Sequence, residues 1–457
     1  MNAPETPSRR LDHRAAITLG RLVACGFWLR VAAADAVQWA TQRKGVPCVF
    51  PDTTIYWELA SKLRRGEPFE LTFYGALPHF ALRTPGYPLF LAACQVVFGP
   101  RLLAVRLVQS ALGAWCVCLT AGLTRRALAA RVEPPGTTWT LPLIAAALAA
   151  LDPYVVANSA LVLSEALFLP LMMLAQWALS AVWEPSGNCS LNRRASFGLS
   201  VLAGVATGAA ILARPSWALY PPLVLTAWVV LTPRGSRRPA LGKALVVALA
   251  LSAVMAPWWA RNASIYGKFV PTALWMGASL YDGLSPTATG ASDMRFLAEP
   301  EFWPLDEEAQ DSTLRGRALS FARSHPGRVL ELAALKAARF WSPWPNAEGF
   351  RSPLLAVASM AVVLPQYALL ALGAWHLRRD ARALTLLGLP LAYTFLLHLV
   401  FVSSMRYRIP VFVPALGMAA VGLREVVARK SRGGWISEFH GGDEVQGNEK
   451  VKEKRED

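Results

Sequence analysis

Charged side chains are sparse in this chain, and several stand where apolar segments end. Asp52 follows the first apolar run in Pro51-Asp52-Thr53-Thr54-Ile55-Tyr56, with Tyr56 one turn further on. Glu165 opens another apolar run after Leu161-Val162-Leu163-Ser164, and Asp152-Pro153 lies slightly earlier. A carboxylate at such a depth is costly, and by default it suggests function. Each acid also has a structural explanation. Asp52 is placed to cap the helix that follows it, and Glu165 to pair with an arginine.

Five arginines stand at the same side of the apolar segments. They are Arg83 in Arg83-Thr84-Pro85-Gly86-Tyr87-Pro88, Arg214 in Ala213-Arg214-Pro215, Arg261 in Trp258-Trp259-Ala260-Arg261-Asn262, and Arg406 and Arg408 in Met405-Arg406-Tyr407-Arg408-Ile409-Pro410. The planar guanidinium fork suits phosphate. The structural alternative is that these side chains snorkel to lipid headgroups. A lipid-linked phosphate, a basic cluster to hold it and a carboxylate to activate an acceptor describe a transferase. The carboxylate takes the acceptor hydroxyl proton as the oxygen attacks an anomeric carbon. The arginines neutralise charge on the departing phosphate, each contributing on the order of 3 kcal/mol. Tyr56, Tyr87 and Tyr407 are supporting residues on the same segments.

The elements that must position these groups are membrane helices. Of 457 residues, 54% are hydrophobic and 17% charged, against about 25% charged in a soluble domain. Segments long enough to span fall at about 16–38, 102–124, 139–158, 165–183, 197–213, 216–231, 244–260, 353–375, 383–402 and 409–427, judged against roughly 20 residues per crossing. The expectation is an all-α polytopic membrane protein with about ten transmembrane helices. The first run resembles a signal peptide, but its continuation to about Trp39 favours an uncleaved span. Clusters such as Arg9/Arg10/Arg14, Arg125/Arg126/Arg131 and Arg378/Arg379/Arg382 fall on alternate loops. That side is cytoplasmic by the positive-inside rule, which also explains the net charge of +16 without nucleic acid.

Both termini are then inside: residues 1–15 form a cytoplasmic N-terminus, 16–430 the membrane domain and 431–457 a polar tail expected to be disordered. Two long outer loops, about 39–101 and 261–352, carry interfacial helices. One is Tyr87 to Phe98; the other runs from about Leu314 to Trp341 and is interrupted at Pro326. No internal repeat is visible. The six histidines give no metal-ligand pattern, and His79 reads as a surface-loop residue. Cys48 and Cys94 both fall in segments open to the oxidising side, but sequence alone does not assign a disulfide between them. The residues imply no particular metal or cofactor beyond a lipid-linked sugar donor, and they leave open whether a structural metal binds.

The ordered pieces resemble the class C glycosyltransferases, in the bacterial branch related to protein O-mannosyltransferases and the aminoarabinose transferase of lipid A. They are Asp52-x-x-x-Tyr56-x-x-x-Ala60 with Gly66, Arg83-Thr84-Pro85-Gly86-Tyr87-Pro88-Leu89-Phe90-Leu91-Ala92, Arg106-Leu107-Val108-Gln109, Asp152-Pro153 with Ser164-Glu165, Ala213-Arg214-Pro215, Pro257-Trp258-Trp259-Ala260-Arg261-Asn262 and Arg406-Tyr407-Arg408-x-Pro410, across about residues 15 to 427. The resemblance implies a catalytic aspartate on the first outer loop, which maps to Asp52. It implies a second acid, for which Glu165 is the nearest match. It also implies a polyprenyl-phosphate sugar donor, inversion at the anomeric carbon and an active site on the outer face. The chain departs from the family's best-known members in two places: no Glu follows Asp52, and Arg83-Thr84-Pro85 stands where a Lys-Pro-Pro-type segment is usual. The residues do not choose among protein, lipid and glycan as acceptor. The competing reading is a transporter or flippase of a lipid-linked sugar, which calls for midplane charges and repeated halves. A non-catalytic scaffold would tolerate loss of the acid, yet Asp52 is present.

Overall fold

The computed structural model describes residues 7–46, 48–72, 77–129, 138–183, 192–346, 350 and 352–439, with side chains from Asp12 to Arg429. Helix α1 (Pro7–Arg43) leads into the first outer loop, which carries α2 (Asp52–Arg65) and α3 (Gly86–Phe98). Then follow α4 (Leu102–Ala127), α5 (Thr140–Leu151), α6 (Pro153–Ala160), α7 (Ser164–Val182), α8 (Arg193–Ala213), α9 (Tyr220–Leu231) and α10 (Arg237–Tyr266). The second outer loop holds α11 (Met276–Gly283), α12 (Glu307–Ser324) and α13 (Pro326–Phe340), and the chain closes with α14 (Pro353–Leu377), α15 (Ala381–Val400) and α16 (Met405–Phe439). The break between α12 and α13 falls at Pro326, which has no N–H to continue a helix.

Among the described residues eight helices are long and apolar enough to cross a membrane: α1, α4, α7, α8, α10, α14, α15 and α16. Two of the expected spans differ from this pattern. Segment 139–158 is not one straight helix; α5 and α6 meet at a bend of 53°. The residue before a proline is driven to extended backbone, and Asp152 is extended with its carboxylate capping α6 through Tyr154 N (2.8 Å) and Val155 N (2.9 Å). Segment 216–231 is a shorter apolar helix, α9, preceded by a tight turn at Pro215–Trp217. Its 12 residues rise only about 18 Å, against the ~30 Å of hydrocarbon. Helix α16 continues to Phe439; residues 440–457, the larger part of the expected tail, lie outside the described residues.

Bundle packing depends on small residues that let backbones approach. A Cβ on Gly373 of α14 would lie 1.8 Å from the Met418 carbonyl oxygen of α16, and one on Gly422 2.1 Å from that of Leu369. The main core joins α4, α5, α7, α8, α9, α10, α15 and α16, with Trp217, Tyr220, Tyr393 and Phe168 packed ring against ring. The two outer loops fold over one end of this bundle and meet one another, as when Ala81 accepts from Leu274 N (2.9 Å).

Candidate active site

Three helix N-termini converge at the end covered by the outer loops. Asp52 is the first residue of α2, Glu165 the second of α7 and Arg406 the second of α16. Arg406 bridges the two acids: its Nη2 is 2.9 Å from Asp52 Oδ2 and its Nε 2.5 Å from Glu165 Oε1. Arg214, just past the end of α8, adds an Nη1 contact of 2.8 Å to the same Glu165 oxygen. Arg83 comes in from the loop before α3, with Nη2 3.8 Å from Asp52 Oδ1. Three guanidiniums thus face two carboxylates, an excess of one positive charge. The partial positive charge of the helix N-termini adds to it.

The two acids differ in access. The Glu165 side chain is fully buried, whereas that of Asp52 is 36% exposed. Ser164 Oγ donates to Glu165 Oε2 (3.2 Å), so every described contact of this carboxylate is with a donor. Asp52 is the first residue of α2 and Pro51 its N-cap, and the Asp52 carboxylate is turned to Arg406 and Arg83. Aromatic rings pave the cluster. Arg214 lies 5.1 Å from the Tyr407 ring centroid, Arg83 4.9 Å from Trp275, and Arg406 5.2 Å from Phe50. Tyr56 meets Tyr87 edge to face at 5.1 Å, and burial pushes both phenols above their usual range, which keeps them neutral. The Tyr87 hydroxyl and the Gln109 side chain are 2.8 Å apart; with the Gln109 oxygen as acceptor, its nitrogen reaches the Leu161 and Ser159 carbonyls. Phe350 stacks on Phe50 and is part of the wall of a pocket of about 440 Å³, together with Trp344 and Asn346.

Other buried arginines serve a different purpose. The last carbonyls of a helix have no partner inside it, and arginines take several of them. Arg30 reaches Ala149 (3.0 Å) and Ala150 (3.4 Å) at the end of α5, and Arg106 reaches Ala160 (3.1 Å) at the end of α6. Arg382 reaches Arg126 and Ala127 of α4 and Ser180 and Trp183 at the end of α7. Arg408 belongs to this group: its guanidinium donates to the carbonyls of Phe340 and Ser342 after α13. Arg261 donates to the carbonyls of Phe80 (3.0 Å) and Phe69 (2.9 Å). Of the five arginines singled out in the sequence, the structure therefore gathers Arg83, Arg214 and Arg406 with Asp52 and Glu165, and places Arg261 and Arg408 apart.

Asp152 is likewise apart, capping α6 and accepting from Gln366 Nε2 (2.7 Å). His79 is not a surface residue: it is buried, with Nε2 2.9 Å from Gln310 Oε1. Cys48 and Cys94 are free thiols. Among the described residues no group of three or more His, Cys, Asp or Glu side chains could hold a metal ion. Sequence reasoning did not single out Phe50, Trp275 or Glu307. Their separation from the motifs along the chain hides them, and only Glu307 carried a signal, as part of an acidic run in the second outer loop.

No family model and no curated protein matches the chain by sequence. Solved structures do match. The archaeal oligosaccharyltransferase AglB from Archaeoglobus fulgidus, in complex with an inhibitory peptide and a dolichol-phosphate, superposes over 95% of this chain with TM-score 0.58 and 12% identity. The chain shares the fold of that structure. The apo form of the same oligosaccharyltransferase gives TM-score 0.57 at 13% identity over 94% of the chain. ArnT from Cupriavidus metallidurans bound to undecaprenyl phosphate matches 88% of this chain and 77% of its own, at 15% identity and TM-score 0.43, a level too low to define a shared fold. The chain spans about half the length of the oligosaccharyltransferase chains it matches, 52% in both structures.

Proposed function

We propose that the protein is an integral-membrane inverting glycosyltransferase that moves a sugar from a polyprenyl-phosphate donor to an acceptor hydroxyl at the outer face of the membrane. The observation that carries this reading is the bridge of Arg406 between Asp52 and Glu165, with Arg83 and Arg214 beside it. The fold shared with the archaeal oligosaccharyltransferase supports it, as does the dolichol-phosphate bound by that protein.

Asp52, the exposed acid, acts as general base. It takes the acceptor O–H proton while that oxygen attacks the anomeric carbon from the face opposite the phosphate. The bond from anomeric carbon to phosphate oxygen breaks, and its electrons remain on the phosphate. A phosphodiester with one negative charge becomes a phosphomonoester with up to two. The single positive excess of the cluster matches the donor, and its guanidiniums can tighten on the product phosphate as charge grows. Glu165, buried and bonded to two arginines, orients them and does not itself reach substrate. Phe50 lies against Arg406 and stacks on Phe350, which lines a pocket of about 440 Å³.

The test is transfer from a panel of radiolabelled polyprenyl-phosphate sugars in membranes, wild type beside Asp52→Asn. Loss of a general base should lower transfer by about 10²–10⁴-fold and leave donor binding in place. Unchanged transfer would remove Asp52 from the mechanism. Movement of the lipid-linked sugar across the membrane without transfer would favour the transporter reading. Against that reading, the acids and arginines gather at helix ends on one side of the bundle and not at mid-depth.

A further inference from the structure

Arg83 reaches the cluster on a stretch, His79 to Pro85, that belongs to no helix. At Phe80 and Ala81 its peptide groups are met by side chains from distant parts of the chain. Glu307, the first residue of α12, is buried at 3% exposure. Its carboxylate accepts from Phe80 N (2.7 Å) and Ala81 N (3.0 Å), and also from the hydroxyl of Tyr266 at the end of α10. Arg261, one turn earlier on α10, donates to the carbonyl of the same Phe80 (3.0 Å). The Phe80–Ala81 peptide unit is therefore held through its N–H by a carboxylate and through its carbonyl by a guanidinium. On the far side of Arg83, Gly86 lies against the backbone that leads to Arg214: a Cβ there would be 2.5 Å from the Leu212 carbonyl carbon.

A surface loop with nothing to position can be solvated by water. Burying a carboxylate is costly unless it is well hydrogen-bonded, and here a buried one is committed to two consecutive amides. The residue that benefits is Arg83, two positions on from Ala81, fixed between a pinned peptide and a pinned glycine. We propose that Glu307, assisted by Tyr266 and Arg261, is a positioning residue for Arg83, holding its guanidinium beside Asp52 where the donor phosphate leaves. This role rests on the glycosyltransferase reading above. Glu307 touches no substrate and acts through Arg83 alone.

The experiment combines sugar transfer with amide exchange in Glu307→Ala, Glu307→Gln, Arg83→Ala and the double variant. Glu307→Ala should speed exchange at Phe80 and Ala81 and lower transfer by about tenfold to hundredfold, the range expected when a catalytic group is misplaced by ~1 Å. The loss should be in kcat and in the KM for donor, with the KM for acceptor unchanged. Glu307→Gln keeps an acceptor oxygen for the two amides and should restore most of both readouts. In the Arg83→Ala background Glu307→Ala should cost nothing further, the non-additivity expected of residues acting as one unit. If Glu307→Ala fails to fold, Tyr266→Phe, which removes one bond to the carboxylate, should show a smaller loss with the same dependence on Arg83. Losses that multiply in the double variant, or unchanged exchange at Phe80 and Ala81, would overturn the positioning role alone. A wild type that transfers from no polyprenyl-phosphate sugar would overturn the glycosyltransferase reading and this role together.

Discussion

At the scale of single residues, an arginine's function follows from what accepts its hydrogen bonds. Arg406 and Arg408 are two residues apart, both partly or wholly buried, and indistinguishable by type. One faces two carboxylates and the other faces the open end of α13. Arg406→Ala should therefore weaken donor binding and leave Asp52 and Glu165 without their shared partner. Arg408→Ala should lower the unfolding temperature with donor affinity intact once folded. Equal loss of donor binding in folded samples of both would put Arg408 back among the phosphate ligands. Glu165 is the other decisive residue. Removing its charge strands Arg214 and Arg406 in a buried setting, and breaking such a pair costs about 3–5 kcal/mol. Glu165→Gln should lose both thermal stability and transfer, whereas Asp52→Asn, at a more exposed site, should lose transfer alone.

At the scale of elements, two contacts bear on where α16 places Arg406. One is the seam of α14 against α16. Gly373→Ala should force the helices apart at Met418, with an overpacking cost of about 1–3 kcal/mol and a fall in transfer from displacement of the α16 N-terminus. A variant as stable and active as the wild type would show that the seam yields freely. The other contact ties α13 to the end of α15. Lys336 Nζ donates to the carbonyls of Val400 (2.5 Å) and Leu399 (3.3 Å), just before the segment that enters α16. Burial lowers its ammonium from 10.5 to about 8. A lysine whose folded pKa lies below its unfolded value contributes stability that is fully present above the unfolded value and lost as pH falls through the folded one. The stability of the wild type relative to Lys336→Met, followed by unfolding in detergent, should rise between pH 8 and pH 10.5 and be flat below about pH 7. A flat difference throughout would place this amine in water.

At the scale of the whole molecule, the two outer loops cover one end of a helical bundle and supply the site with groups that the bundle lacks. The first brings Asp52 and Arg83, and the second brings Trp275 against Arg83 and Glu307 against the loop that carries it. Charge bias in the connecting segments leads to the expectation that this end faces outward. Thr289, exposed in the second outer loop, is the place to test it: Thr289→Cys should react with a membrane-impermeant thiol reagent in intact cells. Labelling only after the membrane is opened would reverse the orientation and move the proposed chemistry to the opposite face.

Much of this was legible in the sequence because the membrane imposes a one-dimensional code. Length and apolarity mark the helices, proline marks the break at Pro326, and an acid or arginine at a helix end stands out against its surroundings. Asp52, Glu165 and Arg406 were visible for that reason. What sequence position could not decide was partnership. Asp52 and Arg406 are 354 residues apart, and only the packing of α7 and α16 beneath the first outer loop puts one guanidinium between two carboxylates. The same packing sends Arg261 and Arg408, equally visible in the sequence, to backbone carbonyls. It also makes a buried strut of His79, which the sequence presents as a loop residue. Depth in the membrane can be read residue by residue, because it follows from the solvent each segment requires. The pairing of charges depends on which helix ends meet, and that is fixed by close packing across the whole bundle.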